Sequence, residues 1–295
     1  MQDINFIKKT NKMRMDILKA PYDPFWGIGS PIDRKALFLN NKKAFYLPYE
    51  MFDEHFIKEV SEYKNIQEYV NANFENKDKG FNLTLNKIEA IRRKYDFEYW
   101  CFMYHLIRDA ETAELVNFKL RLPQRKVWKA VHKLIIANKP IRIIIGKARQ
   151  WGGSTFANAL HRWIQVEIKT NWDSAICGDV EDQAKTIRGM SDELYANYPH
   201  GKLSLLPFKG SSKNKIIKER GCLVAVGSME KPDNLRGNSF KMLHLCIHAD
   251  TQIPTKDGFV KYAKELIIGD QVITHTGIIT IIKNIDKGKP SIING

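Results

Sequence analysis

The middle of the chain reads Ile141-Arg142-Ile143-Ile144-Ile145-Gly146-Lys147-Ala148-Arg149-Gln150-Trp151-Gly152-Gly153-Ser154-Thr155. Its first five residues are mostly apolar and β-branched, which is typical of a buried parallel strand. A glycine-containing loop follows, and apolar residues then recur at helical spacing to about Glu167. A strand that leads through such a loop into a helix provides a phosphate cradle, because backbone N–H groups and the positive end of the helix meet there.

The loop departs from the usual phosphate-binding pattern, G-x-x-x-x-G-K-[ST]. Aligned on Gly152 and Ser154, it has Lys147 where the first glycine is expected and Gly153 where the lysine is expected. The cations of Lys147 and Arg149 and the hydroxyl of Ser154 still suit a phosphate group with Mg²⁺. From the loop alone two interpretations stay open: a nucleotide site, or a Gly-Gly turn that only joins a strand to a helix.

Strands and helices alternate on the C-terminal side of this loop as well. Apolar runs typical of strands are Ser174–Gly178, Cys222–Val226 and Lys241–Leu245. Between the first two lies Glu181–Tyr198, which has helical spacing. This alternation predicts an α/β fold with a parallel sheet. Residues 1–117 are predicted to be mainly helical, with helical periods over 56–72 and 87–108.

From Cys246 onward the composition changes abruptly. The last 50 residues are rich in Ile, Val, Thr, Gly and Asp and show no helical period. Short runs such as 271–274 and 278–282 are separated by turn residues, which predicts small strands. The predicted organisation is therefore a helical region (1–117), an α/β domain (118–245) and an all-β segment (246–295).

Composition limits the class of protein. The chain has 295 residues with 47 Lys and Arg against 33 Asp and Glu, so its formal net charge is +14. This excess favours a polyanionic partner such as DNA or RNA. No apolar run approaches the ~18–20 residues that cross a bilayer, and Met1–Lys19 lacks the apolar core of a signal peptide. We expect a soluble intracellular protein whose four cysteines are reduced, with Cys246 as a special case.

Several short motifs, taken together, resemble the large subunit of phage terminases, the ATPase motor that packages DNA into tailed-phage capsids. They extend over about Phe97 to Leu245. The motifs are Gln124, the loop Lys147–Thr155, Asp182-Gln183-Ala184, Ile187-Arg188-Gly189-Met190 and Asp233-Asn234-Leu235-Arg236-Gly237-Asn238-Ser239. Terminases commonly carry the phosphate lysine at the start of the loop, so the departure from the general pattern fits this family.

The resemblance implies a P-loop NTPase fold that binds ATP and Mg²⁺. It implies that Lys147, supported by Arg149, contacts the β- and γ-phosphates, that Ser154 binds Mg²⁺ through its hydroxyl, and that Gln124 contacts adenine. The remaining loop residues of the site are Gln150, Gly152, Gly153 and Thr155. Arg236 would couple hydrolysis to movement, and a solvated loop cation is the equal alternative for this residue.

The same resemblance implies the setting of the protein. The partners would be double-stranded DNA, the terminase small subunit and the portal protein, and the motor would be oligomeric. The chain would be phage-encoded and would act in the host cytoplasm, with no membrane partner.

The tail resembles the start of an intein, the self-splicing Hint fold. The matching residues are Cys246-Ile247, Asp250-Thr251, Ile253, Thr255, Gly258, Gly269-Asp270, Val272, Thr274 and Thr276-Gly277. The resemblance implies that Cys246 is the first intein residue and that its thiolate attacks the carbonyl carbon of Leu245, which converts the peptide bond to a thioester. Asp250 and Thr251 would support the local fold. A buried structural thiol is the alternative for Cys246.

Such an intein would interrupt the ATPase at the strand Lys241–Leu245, where a P-loop ATPase presents its acidic residues. The later splicing elements are not found, since Thr274 and His275 are adjacent and Asn294 follows Ile293. We therefore expect the front part of a longer product, or one half of a split gene with a C-terminal intein partner. Two other functions stay open: a self-processing Hint protein, and a basic nucleic-acid-binding α/β protein with a degenerate loop.

Overall fold

The structure is a computed structural model of the 295-residue chain. It describes residues 21–109, 112–143, 145, 152–178, 180–198, 205–208, 211–228, 235, 239–245, 252–273 and 279–281. The chain divides into two compact units: Met1–His132 with Asn197–Gly201, and Lys133–Ala196 with Lys202–Gly295. The predicted boundaries at 117/118 and 245/246 stay predictions, because a compact unit and a functional domain need not coincide.

The first unit is a helical layer with two small hairpins. Its elements are β1 (Arg34–Phe38), β2 (Ala44–Pro48), α1 (His55–Ser61), α2 (Ile66–Asn73), α3 (Lys77–Tyr95), α4 (Phe97–Tyr104), β3 (Leu106–Arg108), β4 (Leu115–Asn117) and most of α5 (Leu122–Ile136). Strands β1 and β2 are antiparallel, as are β3 and β4. The prediction of a mainly helical N-terminal region is confirmed.

An apolar core lies between the first hairpin and the helices α1 to α3. Its buried side chains are Leu37, Leu47, Met51, Phe52, Phe56, Ile57, Val60, Ile66, Tyr69, Val70 and Ile88. They alternate along the hairpin and recur every three or four residues along the helices, so that each element turns one face inward.

A buried carboxylate joins the parts of this unit. Asp96 separates α3 from α4, and its side chain forms ion pairs with Arg34 at 2.7 Å and with Arg92 at 2.9 Å. Arg92 also donates to the backbone carbonyls of Phe25 and Pro24. Burial alone would raise the pKa of Asp96, but the two arginines outweigh it and lower the pKa to about 2.

This carboxylate also corrects a prediction. The helical period over 87–108 predicts one continuous helix, whereas α3 ends at Tyr95 and α4 begins at Phe97. The side chain of Asp96 accepts a hydrogen bond from the backbone N–H of Tyr99, which caps the start of α4. Residues Leu106–Arg108 then leave the helix and pair as β3.

The second unit contains a five-stranded sheet. Its elements begin with α6 (Gly153–Trp163), β5 (Ser174–Gly178), α7 (Glu181–Ala196), β6 (Leu205–Phe208), β7 (Ser211–Ile217), β8 (Cys222–Ser228) and β9 (Met242–Leu245). The strand order is β6-β7-β8-β5-β9. Strand β5 is parallel to both β8 and β9, whereas β7 is antiparallel to β6 and β8. The α/β class is confirmed, and the expectation of a wholly parallel sheet is wrong.

The strand predicted over 141–145 is also wrong in the described residues. Residues 141–143 and 145 have no regular structure, and the side chains of Ile141 and Ile143 are 41% and 38% exposed. Among the described strands, β9 is at the edge of the sheet and none is paired with this run. High β-propensity does not form a strand without such a partner.

The tail consists of short antiparallel pairs. They are β10 (Gln252–Pro254) with β11 (Val260–Tyr262), and β12 (Gln271–Ile273) with β13 (Ile279–Ile281). Leu266 and Val272 are buried here, with Ile253 packed against them. The all-β prediction is confirmed in the described part of the tail, where a core of this size can add little stability.

Two smaller expectations concern the chain as a whole. Cys101, Cys177 and Cys222 are free and buried, as predicted. Within the described ranges no helix is long and apolar enough to cross a bilayer.

The Asp96 network leads to a stability prediction. Replacing Asp96 with Asn removes the carboxylate that pairs with Arg92 and leaves Arg34 with Glu98 alone, so we expect the free energy of unfolding of the first unit to fall by about 3–5 kcal/mol. Hydrogen–deuterium exchange of peptides from residues 21–132, measured over a series of urea concentrations, gives this free energy of unfolding. The exposed Asp53→Asn is the matched control and should change the value by less than about 0.5 kcal/mol.

The pH dependence has a defined sign. Because the pKa of Asp96 falls from its ordinary 3.8 to about 2 on folding, its contribution is complete above about pH 4 and is lost as the pH falls towards 2. The Asp96→Asn variant should lack this contribution, so its stability should fall less than that of the wild type as the pH is lowered towards 2. An identical acid profile in both proteins would contradict this account of the network.

Candidate functional site

The site predicted from the loop lies at the start of helix α6. Gly152 precedes the helix with φ +81° and ψ 30°, the left-handed region that favours glycine. Its carbonyl accepts the first helical hydrogen bond, from the N–H of Phe156 at 3.0 Å. Glycine has no side chain to cap the helix, and the first N–H groups of any helix have no partner within it. This end of α6 therefore carries the positive end of the helix dipole.

Helix α6 is fixed to the sheet at its other end. Arg162, in the last turn, donates to the hydroxyl of Ser174, the first residue of β5. Just beyond the helix, Gln165 donates to the carbonyls of Trp172 at 2.6 Å and of Leu223 at 3.0 Å. The C-terminal end of α6 thus lies at the edge where the parallel strands begin. Helix α6 and strand β5 are both about 16 Å long.

The parallel strands end side by side at that carboxyl edge. Gly178 of β5 is paired with Ser228 of β8, and Cys177 is paired with Leu245, the last residue of β9. In open α/β sheets, ligands bind outside the carboxyl ends of the strands. The end of the predicted ATPase strand, Leu245, therefore lies at the edge where such a ligand would bind.

Two further residues reach this edge. A Cβ on Gly227, next to the end of β8, would lie 3.0 Å from the Cγ of Leu235, so the chain around Leu235 packs closely on the strand. Arg188 of α7 donates through Nη2 to the carbonyl of Val226 at 3.3 Å, and its Nε has no hydrogen-bond partner among the described residues. Arg188 stood in a motif but had no predicted role, and its half-buried cation is a site feature that sequence reasoning missed.

Helices α6 and α7 pack through polar side chains. The hydroxyl of Ser191 donates to the side-chain carbonyl of Asn158 at 2.9 Å, and the hydroxyl of Thr155 lies 3.8 Å from the sulfur of Met190. All residues of α6 from Phe156 to Trp163 are buried, which is typical of a helix inside a unit. Thr155, predicted as part of the loop, therefore contributes a contact between helices.

Two buried basic residues in α6 were not predicted as site residues. Arg162 is 1% exposed, and burial lowers its pKa. Burial also lowers the pKa of His161 well below its usual value, and the charge of Arg162 and the nearby His244 lower it further. His161 is therefore neutral at pH 7. No sequence signal indicated this burial, because the polar residues of α6 lie on one side of an amphipathic helix and therefore predict an exposed face.

Gln124 lies in the first unit rather than before a strand. It is the third residue of α5, it is 2% exposed, and its side-chain oxygen accepts a hydrogen bond from the N–H of Arg121 at 2.8 Å. This is the arrangement of a residue that closes the first turn of its own helix. The structure therefore gives Gln124 a local role, and its contact with adenine stays a prediction.

The other predicted site residues lie outside the described residues. They are Lys147, Arg149, Gln150, Arg236, Cys246, Asp250 and Thr251. Of the loop, the structure describes Gly152, Gly153, Ser154 and Thr155, which form the start of α6. No group of three His, Cys, Asp or Glu side chains that could hold a metal ion occurs in the part of the chain that the structure describes.

Phosphates fit the described half of the cradle. The start of α6 supplies donors, and Ser154 places a hydroxyl-bearing residue in the first turn, as Mg²⁺–phosphate sites require. Comparison with known families finds none that matches the chain, and none of the curated proteins is significantly similar to it.

Gly152 provides a test of this geometry. An alanine at φ +81° is strained, so Gly152→Ala should destabilise the second unit by about 1–2 kcal/mol. Gly189 in α7 is the matched control, because a Cβ there meets no atom within 4 Å. Gly189→Ala should stabilise the same unit by up to about 1 kcal/mol through its helix propensity. Urea unfolding measures both, and changes of the same sign would contradict the left-handed start of α6.

Proposed function

We propose that this chain is the N-terminal part of a phage terminase large subunit, an ATP-driven DNA-packaging motor, and that an intein interrupts it at Leu245–Cys246. One observation carries the proposal: α6 begins at a glycine in the left-handed conformation, and its opposite end is bound where the parallel strands β5 and β8 begin. This is the arrangement of the helix after a phosphate-binding loop in α/β nucleotide-binding folds. The loop motif Lys147–Thr155 leads directly into this helix start.

Each part of the proposed site has its own task. The N–H groups at the start of α6 and the ammonium of Lys147 bind the terminal phosphates, with Arg149 beside them. Ser154 binds Mg²⁺ through its hydroxyl. Bound ATP supplies the phosphoanhydride bond whose hydrolysis drives movement. Leu235 packs on the end of β8 and brings the chain next to Arg236 to the same edge, which supports a coupling role for Arg236.

The proposed interruption explains why no acidic residue directly follows strand β9 in the sequence. Strand β9 ends at Leu245, and the sequence continues Cys246-Ile247-His248-Ala249 before the first acidic residue, Asp250. A P-loop ATPase needs carboxylates there to hold Mg²⁺ and to polarise the attacking water. We therefore propose that this chain binds ATP weakly and hydrolyses little of it, and that splicing restores the full activity.

The chemistry at the junction is an N–S acyl shift. The thiolate of Cys246 attacks the carbonyl carbon of Leu245, a C–S bond forms, the C–N bond breaks, and the freed amine takes up a proton. The change from α/β elements to short antiparallel pairs after residue 245 supports an insertion that begins here. The Hint assignment of this tail belongs to the same proposal.

Nucleotide binding tests the motor proposal. Lys147→Ala should weaken binding of a fluorescent ATP analogue by at least about tenfold in an equilibrium titration, because it removes a charge-assisted contact to phosphate. Lys139→Ala is a control with the same charge change a few residues earlier, and it should leave the affinity within about twofold. Equal affinities of the wild type and Lys147→Ala would refute the phosphate site and favour a basic nucleic-acid-binding protein with a degenerate loop.

Thiol-induced cleavage tests the junction. Incubation with an excess of a small thiol should release a fragment that ends at Leu245, because the thiol captures the thioester. Cys246→Ala should abolish the release, whereas Cys222→Ala should not. Mass spectrometry identifies the new C-terminus. If Cys246→Ala still released the fragment, the intein proposal would be contradicted and the motor proposal would be unaffected.

A further inference from the structure

The positive charge of the chain is concentrated in one segment. From Leu115 to Val166 there are 52 residues without a single Asp or Glu, and they contain 11 Lys and Arg. This segment therefore contributes +11 of the formal +14, while the other 243 residues contribute only +3. Surfaces that serve solubility alone usually intersperse both signs, so such segregation points to a polyanionic ligand.

Helix α5 displays part of this charge in a fixed arrangement. Lys126, Lys129 and Lys133 are exposed and lie within about 60° around the helix, over about 10 Å of its axis. No carboxylate occurs in the helix, so none of them has an intrahelical ion-pair partner three or four residues away. We call these three residues the lysine face.

The opposite side of α5 is occupied. Trp128 is fully buried and its ring centre lies 4.8 Å from that of Phe97, and Val131 is 2% exposed. The apolar side therefore cannot insert into a lipid surface, as an interfacial helix would need. The helix is held rigidly with its lysine face outward.

We propose that the lysine face of α5 binds the phosphate backbone of double-stranded DNA. A duplex presents one charge per about 1.7 Å of its axis, so several phosphates lie within the length of the face. The one aromatic ring of Trp, Tyr or Phe in α5 is Trp128, which is buried, so the face has no ring on which an unpaired base could stack. Lysine contacts of this kind read no sequence.

The choice of DNA rests on the proposed motor function, whereas the binding face does not. Binding to the face needs neither ATP nor the loop Lys147–Thr155. A chain that fails to bind the ATP analogue but retains the lysine-face contact would contradict the motor alone. A chain that binds the analogue but shows no role of α5 would contradict this inference alone.

The test uses the full chain without nucleotide and a labelled duplex of about 30 base pairs in a salt titration. The triple variant Lys126→Gln, Lys129→Gln and Lys133→Gln keeps good helix formers in α5. Its affinity should fall at least about tenfold at 0.1 M salt, and the slope of log K against log salt should lose about 2 to 3 in magnitude. Circular dichroism checks that the variant is folded.

The matched control removes the same charge outside α5. Lys58, Lys64 and Lys79 are exposed and have acidic neighbours, so Lys58→Gln, Lys64→Gln and Lys79→Gln should leave the slope within about 0.5 of the wild type. Equal losses in the two triple variants, or no loss in the α5 variant, would overturn the proposal. Tighter binding of single-stranded DNA or of phosphatidylserine vesicles than of the duplex would overturn it as well.

Discussion

The hydroxyl of Ser174 fixes the geometry on which the candidate site depends. It accepts from Arg162 and donates to the side-chain oxygen of Gln165 at 3.3 Å, and the side-chain nitrogen of Gln165 donates to the carbonyl of Leu223. These contacts tie the end of α6 to the first residues of two parallel strands. The hydrogen bond between Ser191 and Asn158 adds a contact of α6 with α7, so the helix is held to the sheet and to its neighbouring helix by polar side chains.

The same contacts require that the cation of Arg162 be buried, which is destabilising unless it is well paired. Arg162 is buried with two of its guanidinium nitrogens lacking a hydrogen-bond partner among the described residues, and a buried cation is stabilising only when it is well paired. The buried arginines of the first unit show the other solution, in which Asp96 pairs with Arg34 and Arg92 and Glu98 pairs with Arg34. Buried carboxylates thus pair with the arginines there, whereas Arg162 in the helix of the candidate site has only neutral hydrogen-bond partners among the described residues.

The sequence predicted the elements whose apolar pattern agrees with their partners. Strands β5 and β8 and helix α7 were expected within a few residues, because their apolar side chains face the same core. The run 141–145 was mispredicted, since a strand also needs a neighbouring edge. The pair β6–β7 was not foreseen, because Ser211–Lys215 is polar and has no alternation. At the site, the glycines marked the start of α6, but polar Asn158 and Arg162 gave no sign of burial.

The first unit is interleaved with the second along the chain. The first unit includes Asn197–Gly201, which follows α7 in the sequence. There the hydroxyl of Tyr198 lies 3.3 Å from the indole nitrogen of the fully buried Trp100. During synthesis, Trp100 leaves the ribosome almost one hundred residues before this partner. The N-terminal part therefore cannot complete its core co-translationally until α6, β5 and α7 have been made. A gene fragment that ends after α5 would encode the first unit without Tyr198, whose ring lies beside that of Trp100.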